Sequence, residues 1–454
     1  MAFELCCNLT KAELQEGLLS IGAFAFFECT GLTRINIPST VNSIGEGAFS
    51  KCCNLTDFSV SEGNIRYAFR EGALIDTKTK ELMLFLDDST RDYHVPDNIV
   101  RIGASAFAQR EKMIAVTLPE RTTSIGNYAF SSCRKLESIA IPDSVNCIGA
   151  NAFEFCHCLK HVILHEGLIE IGRSAFWASG LTELSIPDSV SRIGEGAFEN
   201  CEYLTRVNLP TSITEIGKEA FRECKRLRAI TIPASVRGFG EYAFFHCNKI
   251  RHINYGSMKD DATKIVMAAI ESGIPETTVW HCSDGQATIR DMLFSGKLNQ
   301  TVSWELQKGT LTFSGTGCIT KCHDVHFPYK PDKLAIKEGI TEISDHAFEI
   351  NYQLLSCDTI ELPASIVHIG ENVLKKVTRV VFCGIVSDIT NKVNIGANNN
   401  SLMCVCWHCI DGNHIPRTFE GTLSTGVHWT IGDGTLTISG IGEITWSETK
   451  LFPP

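Results

Sequence analysis

Two short segments of the chain combine cysteine and histidine at spacings at which proteins bind zinc. The candidate ligands are Cys318, Cys322, His323 and His326 in the first segment and Cys404, Cys406, His408 and Cys409 in the second. Zinc takes four thiolate or imidazole ligands, with local pairs two to four residues apart. Each segment therefore has the residue types to complete one tetrahedral site.

Two observations argue against metal binding at these segments. The stretch 296–317 recurs 125 residues later, yet Glu443 and Trp446 stand near the places that match the first segment. In the second segment, Cys409 would point away from the strand face that its three partners share. We therefore predict packing roles for these side chains and no metal or other cofactor, with zinc binding at either segment as the alternative.

The sequence shows no other catalytic arrangement. It contains neither the Gly-x-Ser-x-Gly elbow of serine hydrolases nor the Gly-x-x-x-x-Gly-Lys-Ser/Thr loop that binds phosphates. Its 14 histidines fall at variable positions. Acidic side chains that recur after a glycine, such as Glu46 and Glu195, are expected to be solvent-exposed charges. We therefore predict that the protein is not an enzyme.

The charge and hydropathy of the chain exclude further classes. A formal net charge of −11 argues against nucleic-acid binding. No apolar run approaches the roughly 20 residues that span a bilayer, so we predict no transmembrane segment in this chain. The chain begins inside a repeat unit, at Ala2-Phe3, with no signal peptide, which predicts a piece of a longer protein.

A phrase of 23 residues, anchored on Ile-Gly-x-x-Ala-Phe, repeats along the chain and must supply the scaffold. From Gly103 to Gly240 its glycines are separated by 23, 23, 23, 22, 23 and 23 residues. A period this constant predicts a solenoid in which each unit is one coil and stability comes from stacking. The glycines of the clearest copies are Gly22, Gly45, Gly103, Gly126, Gly149, Gly172, Gly194 and Gly217.

One coil, residues 32–55, illustrates how the phrase should fold. Its Leu-x-x-Ile-x-Ile start predicts one short strand that Pro38 ends, and Gly45 is expected to adopt a backbone angle that side chains resist. Ala48 and Phe49 then predict a helical turn on the convex side. The predicted fold class is an α/β repeat solenoid: a leucine-rich-repeat horseshoe with a parallel sheet on one face, interrupted by β-hairpin modules.

Eight of the 20 cysteines lie three residues after the repeat phenylalanine. This register predicts a ladder of small, buried, reduced thiols, because disulfides between successive coils would strain a regular stack. The absence of a disulfide-framework spacing favours a reducing setting. The eight are Cys6, Cys29, Cys52, Cys133, Cys156, Cys201, Cys224 and Cys247.

The full phrase, Leu-x-x-Ile-x-Ile-Pro-x-Ser-Val-x-x-Ile-Gly-x-x-Ala-Phe-x-x-Cys, stands almost complete in residues 136–156 and 181–201. It resembles the BspA-like leucine-rich repeat proteins, and the resemblance covers at least 2–256 and 336–384. Residues 63–96 resemble a hairpin insertion of that family. The resemblance implies bacterial or protist surface proteins that bind host or neighbouring-cell macromolecules, and it brings no catalytic residues.

The chain is predicted to alternate repeat arrays with other modules. The boundaries are 1–256 for the first array, with a hairpin insertion at about 62–96; 257–285 for a connecting helix and strand; 286–335 for a β-hairpin module; 336–384 for a second short array; 385–412 for a connector; and 413–454 for a second, truncated β-hairpin module.

Strand residues between the inward-facing apolar ones should form a wide, shallow outer face. Such a face suits a protein or other extended macromolecule better than a small molecule. The candidate binding residues are Arg34, Asn36, Ser59, Thr117, Ser185, Arg206, Asn208, Thr231 and Asn254; Ala140 and Ile163 occupy equivalent outward positions. The predicted function is adhesion by a cell-surface or secreted protein. The alternative, which the free thiols favour, is a cytoplasmic protein-interaction scaffold.

Overall fold

The chain divides into two compact units, Met1–Thr288 and Ile289–Pro454. The computed structural model describes residues 2–322, 325, 327–350, 353–396, 402, 407–414, 419–424, 427–432 and 435–440.

The first unit is built almost entirely from short strands. Its elements are β1 (Lys11–Ala12), β2 (Ser20–Ile21), β3 (Arg34–Ile37), β4 (Ser43–Ile44), β5 (Asp57–Val60), β6 (Tyr67–Arg70), β7 (Ala73–Asp76), β8 (Glu81–Phe85), β9 (Asp92–His94), β10 (Arg101–Ile102), β11 (Ala115–Thr117), β12 (Ser124–Ile125), β13 (Ser138–Ala140), β14 (Cys147–Ile148), β15 (His161–Ile163), β16 (Glu170–Ile171), β17 (Glu183–Ser185), β18 (Arg192–Ile193), β19 (Arg206–Asn208), β20 (Glu215–Ile216), β21 (Ala229–Ile232), β22 (Gly238–Phe239), β23 (His252–Tyr255), α1 (Lys259–Glu271), β24 (Val279–Cys282) and β25 (Gly285–Thr288).

Each coil contributes two strands, whereas the sequence predicted one. In the coil of Gly149, the expected strand β13 pairs in parallel with β15, and a second strand, β14, pairs in parallel with β16. The second strand contains the isoleucine that precedes the repeat glycine. The backbone of this isoleucine pairs with that of the equivalent isoleucine in the next coil. The solenoid therefore has two rows of parallel strands, with the apolar core between them.

The predicted helical turn is wrong: the segment after the repeat glycine is a ribbon of tight turns. Left-handed residues recur along it at four-residue spacing, such as Ser105 at φ 55° and Gln109 at φ 63°. The N–H of Ser105 donates to the carbonyl of Asn127 at 2.8 Å, and that of Phe107 to the carbonyl of Ala129 at 2.7 Å. Every second amide thus bonds to the next coil, which a helix, whose amides bond along its own axis, would not permit.

The repeat glycine is required by close packing and not, as expected for Gly45, by a positive φ angle. A Cβ built on Gly45 would lie 2.3 Å from the backbone nitrogen of Ala23, and one on Gly149 would lie 2.6 Å from that of Asn127. Real Cβ atoms do not approach other atoms so closely. Gly22 differs, since a Cβ there meets nothing within 4 Å.

Phenylalanine rings stack along the core of the first unit. From Phe107 to Phe244 the successive ring centroids are 5.0 to 5.5 Å apart and the rings are within 10° of parallel. One coil, from Gly172 to Gly194, has 22 residues, and the shortening lies in the turn at Gly180. The ring of Phe176 still stacks on that of Phe198, with centroids 5.5 Å apart, so the phenylalanine stack continues across the shorter coil.

Seven of the eight ladder cysteines, from Cys29 to Cys247, are buried as predicted, and thiols of the ladder also donate hydrogen bonds between coils; the prediction is wrong for Cys6, which is exposed. The Cys133 thiol donates to the carbonyl of Phe107 at 3.0 Å, and the Cys156 thiol to that of Phe130 at 3.1 Å. The described cysteines are all free. Burial raises the pKa of the Cys133 thiol to about 12, because a thiolate would lose its hydration there.

Three antiparallel strands, β6, β7 and β8, interrupt the coils between β5 and β9. The side chain of Asn64 holds the start of this insertion: its amide donates to the carbonyl of Val41 at 3.0 Å, and its carbonyl oxygen accepts from the N–H of Tyr67 at 2.8 Å. Gly72 turns the β6–β7 hairpin at φ 75°. β8 then pairs in parallel with β10, so the second row of strands resumes.

The first unit ends with α1 and two further strands. Ala262, Ile265, Val266 and Ala269 of α1 are buried. β24 continues the first row in parallel with β23, and its Trp280 is fully buried. β25 turns back antiparallel to β24 and is the last strand of this sheet.

The second unit joins an antiparallel meander to a shorter coil stack. Its elements are a 3-10 turn (Ile289–Asp291), β26 (Phe294–Lys297), β27 (Val302–Gln307), β28 (Thr310–Gly315), β29 (Gly317–Ile319), β30 (Lys333–Ile336), β31 (Ile340–Ile343), β32 (Glu349–Ile350), β33 (Gln353–Leu354), β34 (Thr359–Leu362), β35 (His368–Ile369), β36 (Arg379–Phe382), α2 (Val386–Asn391), β37 (Asn394–Ile395), β38 (Trp407–Cys409), β39 (Gly412–His414), β40 (Phe419–Ser424), β41 (Val427–Gly432) and β42 (Thr435–Gly440).

β26, β27 and β28 pair antiparallel, and β28 then pairs in parallel with β30, followed by β34, β36 and β38. A second row, β29, β31, β35 and β37, accompanies them. The two-row arrangement of the first unit therefore recurs here.

The glycine contact predicts a position-dependent effect of alanine. Gly149→Ala forces a methyl group against the Asn127 backbone, so we expect a loss of roughly 1–3 kcal/mol of stability, the range for overpacked cores. Gly22→Ala, where the added methyl has open space, should leave the urea midpoint unchanged. Equal effects at the two positions would show that the contact does not limit stability.

The buried thiols predict that stability falls at alkaline pH. Burial raises the pKa of Cys133 and Cys201 from an ordinary value near 9 to about 12. Between these values the unfolded chain loses thiol protons that the folded chain retains, so each thiol should lower the free energy of unfolding by up to about 1.4 kcal/mol per pH unit.

Urea midpoints measured from pH 8 to about 11 check this effect. Replacing Cys133 and Cys201 by alanine should flatten the decline, whereas Cys158→Ala, at an exposed thiol, should not. If the urea midpoint falls with pH equally steeply in the unmodified chain and in both variants, the prediction is contradicted.

Candidate binding surface on the parallel sheet

The exposed side of the first-row strands, here called the sheet face, carries all nine predicted binding residues. In β19, Val207 is fully buried while Arg206 and Asn208 on either side are exposed. The same alternation holds in the other strands that carry these residues, with Thr231 half-buried and the remainder exposed. Because alternate strand side chains point to opposite faces, one set forms the core and the other faces solvent.

The structure brings most of these residues into rows. Ser185, Asn208, Thr231 and Asn254 are register neighbours on β17, β19, β21 and β23. Arg34, Asn36 and Ser59 lie together on β3 and β5. Thr117 is separate from both groups, on β11 in the four-stranded sheet of β9, β11, β13 and β15.

Neighbouring polar side chains on the face bond to one another. The hydroxyl of Ser59 donates to Asn36 Oδ1 at 2.8 Å, and that of Thr231 donates to Asn208 Oδ1 at 2.9 Å. Arg34 and Asp57 form an ion pair at 2.8 Å. Both charges are more than half exposed, so this pair contributes little to stability and keeps both groups accessible to a partner.

A groove of about 610 Å³ lies in the middle of the face, over β11, β13 and β15. The outward side chains that line this central groove include two alanines; they are Ala115, Thr117, Ser138, Ala140, His161 and Ile163. Ile163 is 59% exposed there. The sequence analysis placed Ala140 and Ile163 outward but left them out of the candidate set.

Two histidines meet at another point of the face. His252 Nδ1 lies 3.0 Å from His281 Nε2, across β23 and β24. His281 also stands beside Asn254 in the register of these strands. The corresponding His408 of the second unit bonds instead to Asn413, with its Nδ1 2.9 Å from Asn413 Oδ1.

The two Cys/His segments are only partly visible. His323, His326, Cys404 and Cys406 lie outside the described residues. Cys322 is fully buried, and burial raises the pKa of its thiol to about 12. Within the described ranges, no three His, Cys, Asp or Glu side chains come close enough together to hold an ion.

The repeats match a family model described as a BspA type leucine rich repeat region, in six copies over residues 1–83, 78–205, 169–301 and 330–394. The chain belongs to this family. Leucine-rich repeat proteins generally mediate protein interactions, and this family is not known to be enzymatic. None of the helices in the described part of the chain is long and apolar enough to cross a bilayer.

Solved structures of bacterial leucine-rich repeat proteins match parts of this chain. One from Eubacterium ventriosum is 24% identical with a TM-score of 0.46, and the match covers 52% of this chain and 64% of that chain. One from Bacteroides ovatus is 20% identical with a TM-score of 0.37, over 76% of both chains. A leucine rich cell surface protein from Faecalibacterium prausnitzii is 20% identical with a TM-score of 0.32, over 84% of this chain and 89% of that chain.

This chain therefore spans 64%, slightly less than two thirds, of the length of the Eubacterium protein. A comparison with curated proteins finds no match.

Since the sequence analysis predicts no metal site, the fold of this BspA-type chain should not depend on zinc. Protein purified without chelator should contain less than about 0.1 zinc per chain, and EDTA should leave its thermal unfolding unchanged. Elemental analysis and differential scanning calorimetry check the two outcomes. One zinc per chain that is lost in Cys322→Ala or Cys409→Ala would establish the metal site that we predict to be absent.

Proposed function

We propose that this protein is a non-enzymatic adhesion protein, displayed at the cell surface or secreted, whose sheet face binds macromolecules of a host or of neighbouring cells. The observation that carries the proposal is the regular division of each first-row strand into buried and exposed residues. Val207 and Ile253, for instance, are fully buried, while Asn208 and Asn254 beside them face solvent. A rigid core thereby presents a long row of accessible side chains.

The chemistry of this row favours an extended protein partner. Its residues are mostly small and polar, with charged groups such as Arg34 and Arg206 beside them. Such groups form many modest contacts over a large area, whereas a small ligand needs a concave, largely apolar pocket. The proposal also includes the horseshoe curvature and the division into arrays, connectors and hairpin modules that the sequence predicts. These features would extend the row of exposed side chains further.

Membership of the BspA-type family supports a surface location, because the resemblance implies surface proteins. An intracellular interaction scaffold is the second candidate. It is favoured by the free, buried thiols such as Cys156 and Cys224, since exported proteins commonly oxidise their cysteines. Both candidates use the same sheet face and differ in compartment.

Protease shaving of intact source cells distinguishes the two candidates. We expect trypsin to release peptides of this chain from intact cells, identified by mass spectrometry. A cytosolic enzyme monitored in the same supernatant controls for lysis. Peptides that appear only after lysis would refute surface display and favour the scaffold.

A further inference from the structure

The central groove differs from the rest of the sheet face in shape and polarity. Elsewhere the outward side chains include Arg206 and Asn208, whereas the groove is lined by Ala115, Ala140 and the exposed Ile163. An isoleucine that is 59% exposed beside alanines is an apolar surface in a polar surround. Burying it against a partner removes apolar area from water, which favours an aliphatic side chain in the groove.

The carboxylates that line the groove have no lysine or arginine among the other lining residues, all of which belong to the described part of the chain. They belong to Glu120 and Asp143, and Asp92 stands next to Ala115 in the register of β9 and β11. His165 Nδ1 lies 2.9 Å from Asp143 Oδ1, so it offsets part of this charge when protonated. The groove therefore complements a cationic side chain.

We propose that the central groove binds an extended peptide segment that places an aliphatic side chain on Ala140 and Ile163 and a lysine or arginine beside Glu120 and Asp143. This deepens, and rests on, the proposed function of the sheet face. Asp143 follows Ala140 by three residues, which is about 10 Å of extended chain. Two side chains on one face of an extended peptide are separated by about 7 Å and fit within that length.

Fluorescein-labelled peptides of about nine residues, read by fluorescence anisotropy on the whole chain, test the proposal. The first has a central leucine and a lysine two positions later in a serine background. The second replaces the lysine by glutamate, and the third replaces the leucine by serine. We expect the leucine–lysine peptide to bind at least about tenfold more tightly than either of the others, a factor that corresponds to about 1.4 kcal/mol.

Two variants connect binding to the groove. Ile163→Ser should weaken the leucine–lysine peptide about tenfold. Ile169→Ser is the matched control, because Ile169 is also exposed, at 49%, and does not line the groove. Glu120→Gln combined with Asp143→Asn should abolish the preference for lysine over glutamate.

The proposal is overturned if none of the peptides binds saturably, or if Ile163→Ser and Ile169→Ser bind alike. Failure here is distinguishable from failure of the proposed function, because protease shaving tests display without using the groove. If the chain is released from intact cells but binds none of the peptides, the groove proposal fails, and adhesion through the rest of the sheet face still stands. Peptide binding by a chain found only after lysis would place the same recognition in the intracellular scaffold.

Discussion

Direct backbone contact between successive coils is the constraint on which the rest of this structure depends. At the repeat glycine the two backbones are so close that a single methyl group does not fit, as at Gly45 and Gly149. The coils can approach this closely only if their amides also find partners across the gap. The left-handed residues of the turn ribbon provide them, because they aim alternate N–H groups at the carbonyls of the next coil.

The spacing set by this contact also explains the core. Aromatic rings stack favourably at centroid distances of about 4.5–7 Å, and the phenylalanines lie 5.0 to 5.6 Å apart along the stack. The cysteine position follows the same rule, since its thiol reaches a carbonyl of the preceding coil. Arg110 replaces the cysteine in its own coil and still donates, through Nη1, to the carbonyl of Leu86 at 3.0 Å. Ser179, which also replaces the cysteine, lies 3.3 Å from the Cys201 thiol of the next coil instead, so a polar group recurs at this position while its partner varies.

The sequence predicted the parts of the fold that depend on side-chain periodicity. The coil repeat, the buried cysteines and the outward positions of residues such as Asn208 all follow from spacing. The second row of strands, the turn ribbon and the true role of Gly45 did not, because they depend on backbone contacts between coils that a single repeat unit does not reveal. The central groove was missed for a related reason. A depression is a property of three neighbouring strands, and Ala140 and Ile163 acquire their significance only side by side.

The 22-residue coil between Gly172 and Gly194 shows what such a stack tolerates. Its shortened turn leaves the second strand row and the stacked ring in place, whereas the first row is interrupted there, since β15 and β17 belong to separate sheets. Since each coil presents the same backbone pattern to the coil before it and the coil after it, any coil can follow any other. Duplication or deletion of a segment that encodes one coil would add or remove that coil without creating a new type of interface. Lineages could therefore vary the length of the molecule and reshuffle its outward residues rapidly, while the core that supports them remains unchanged.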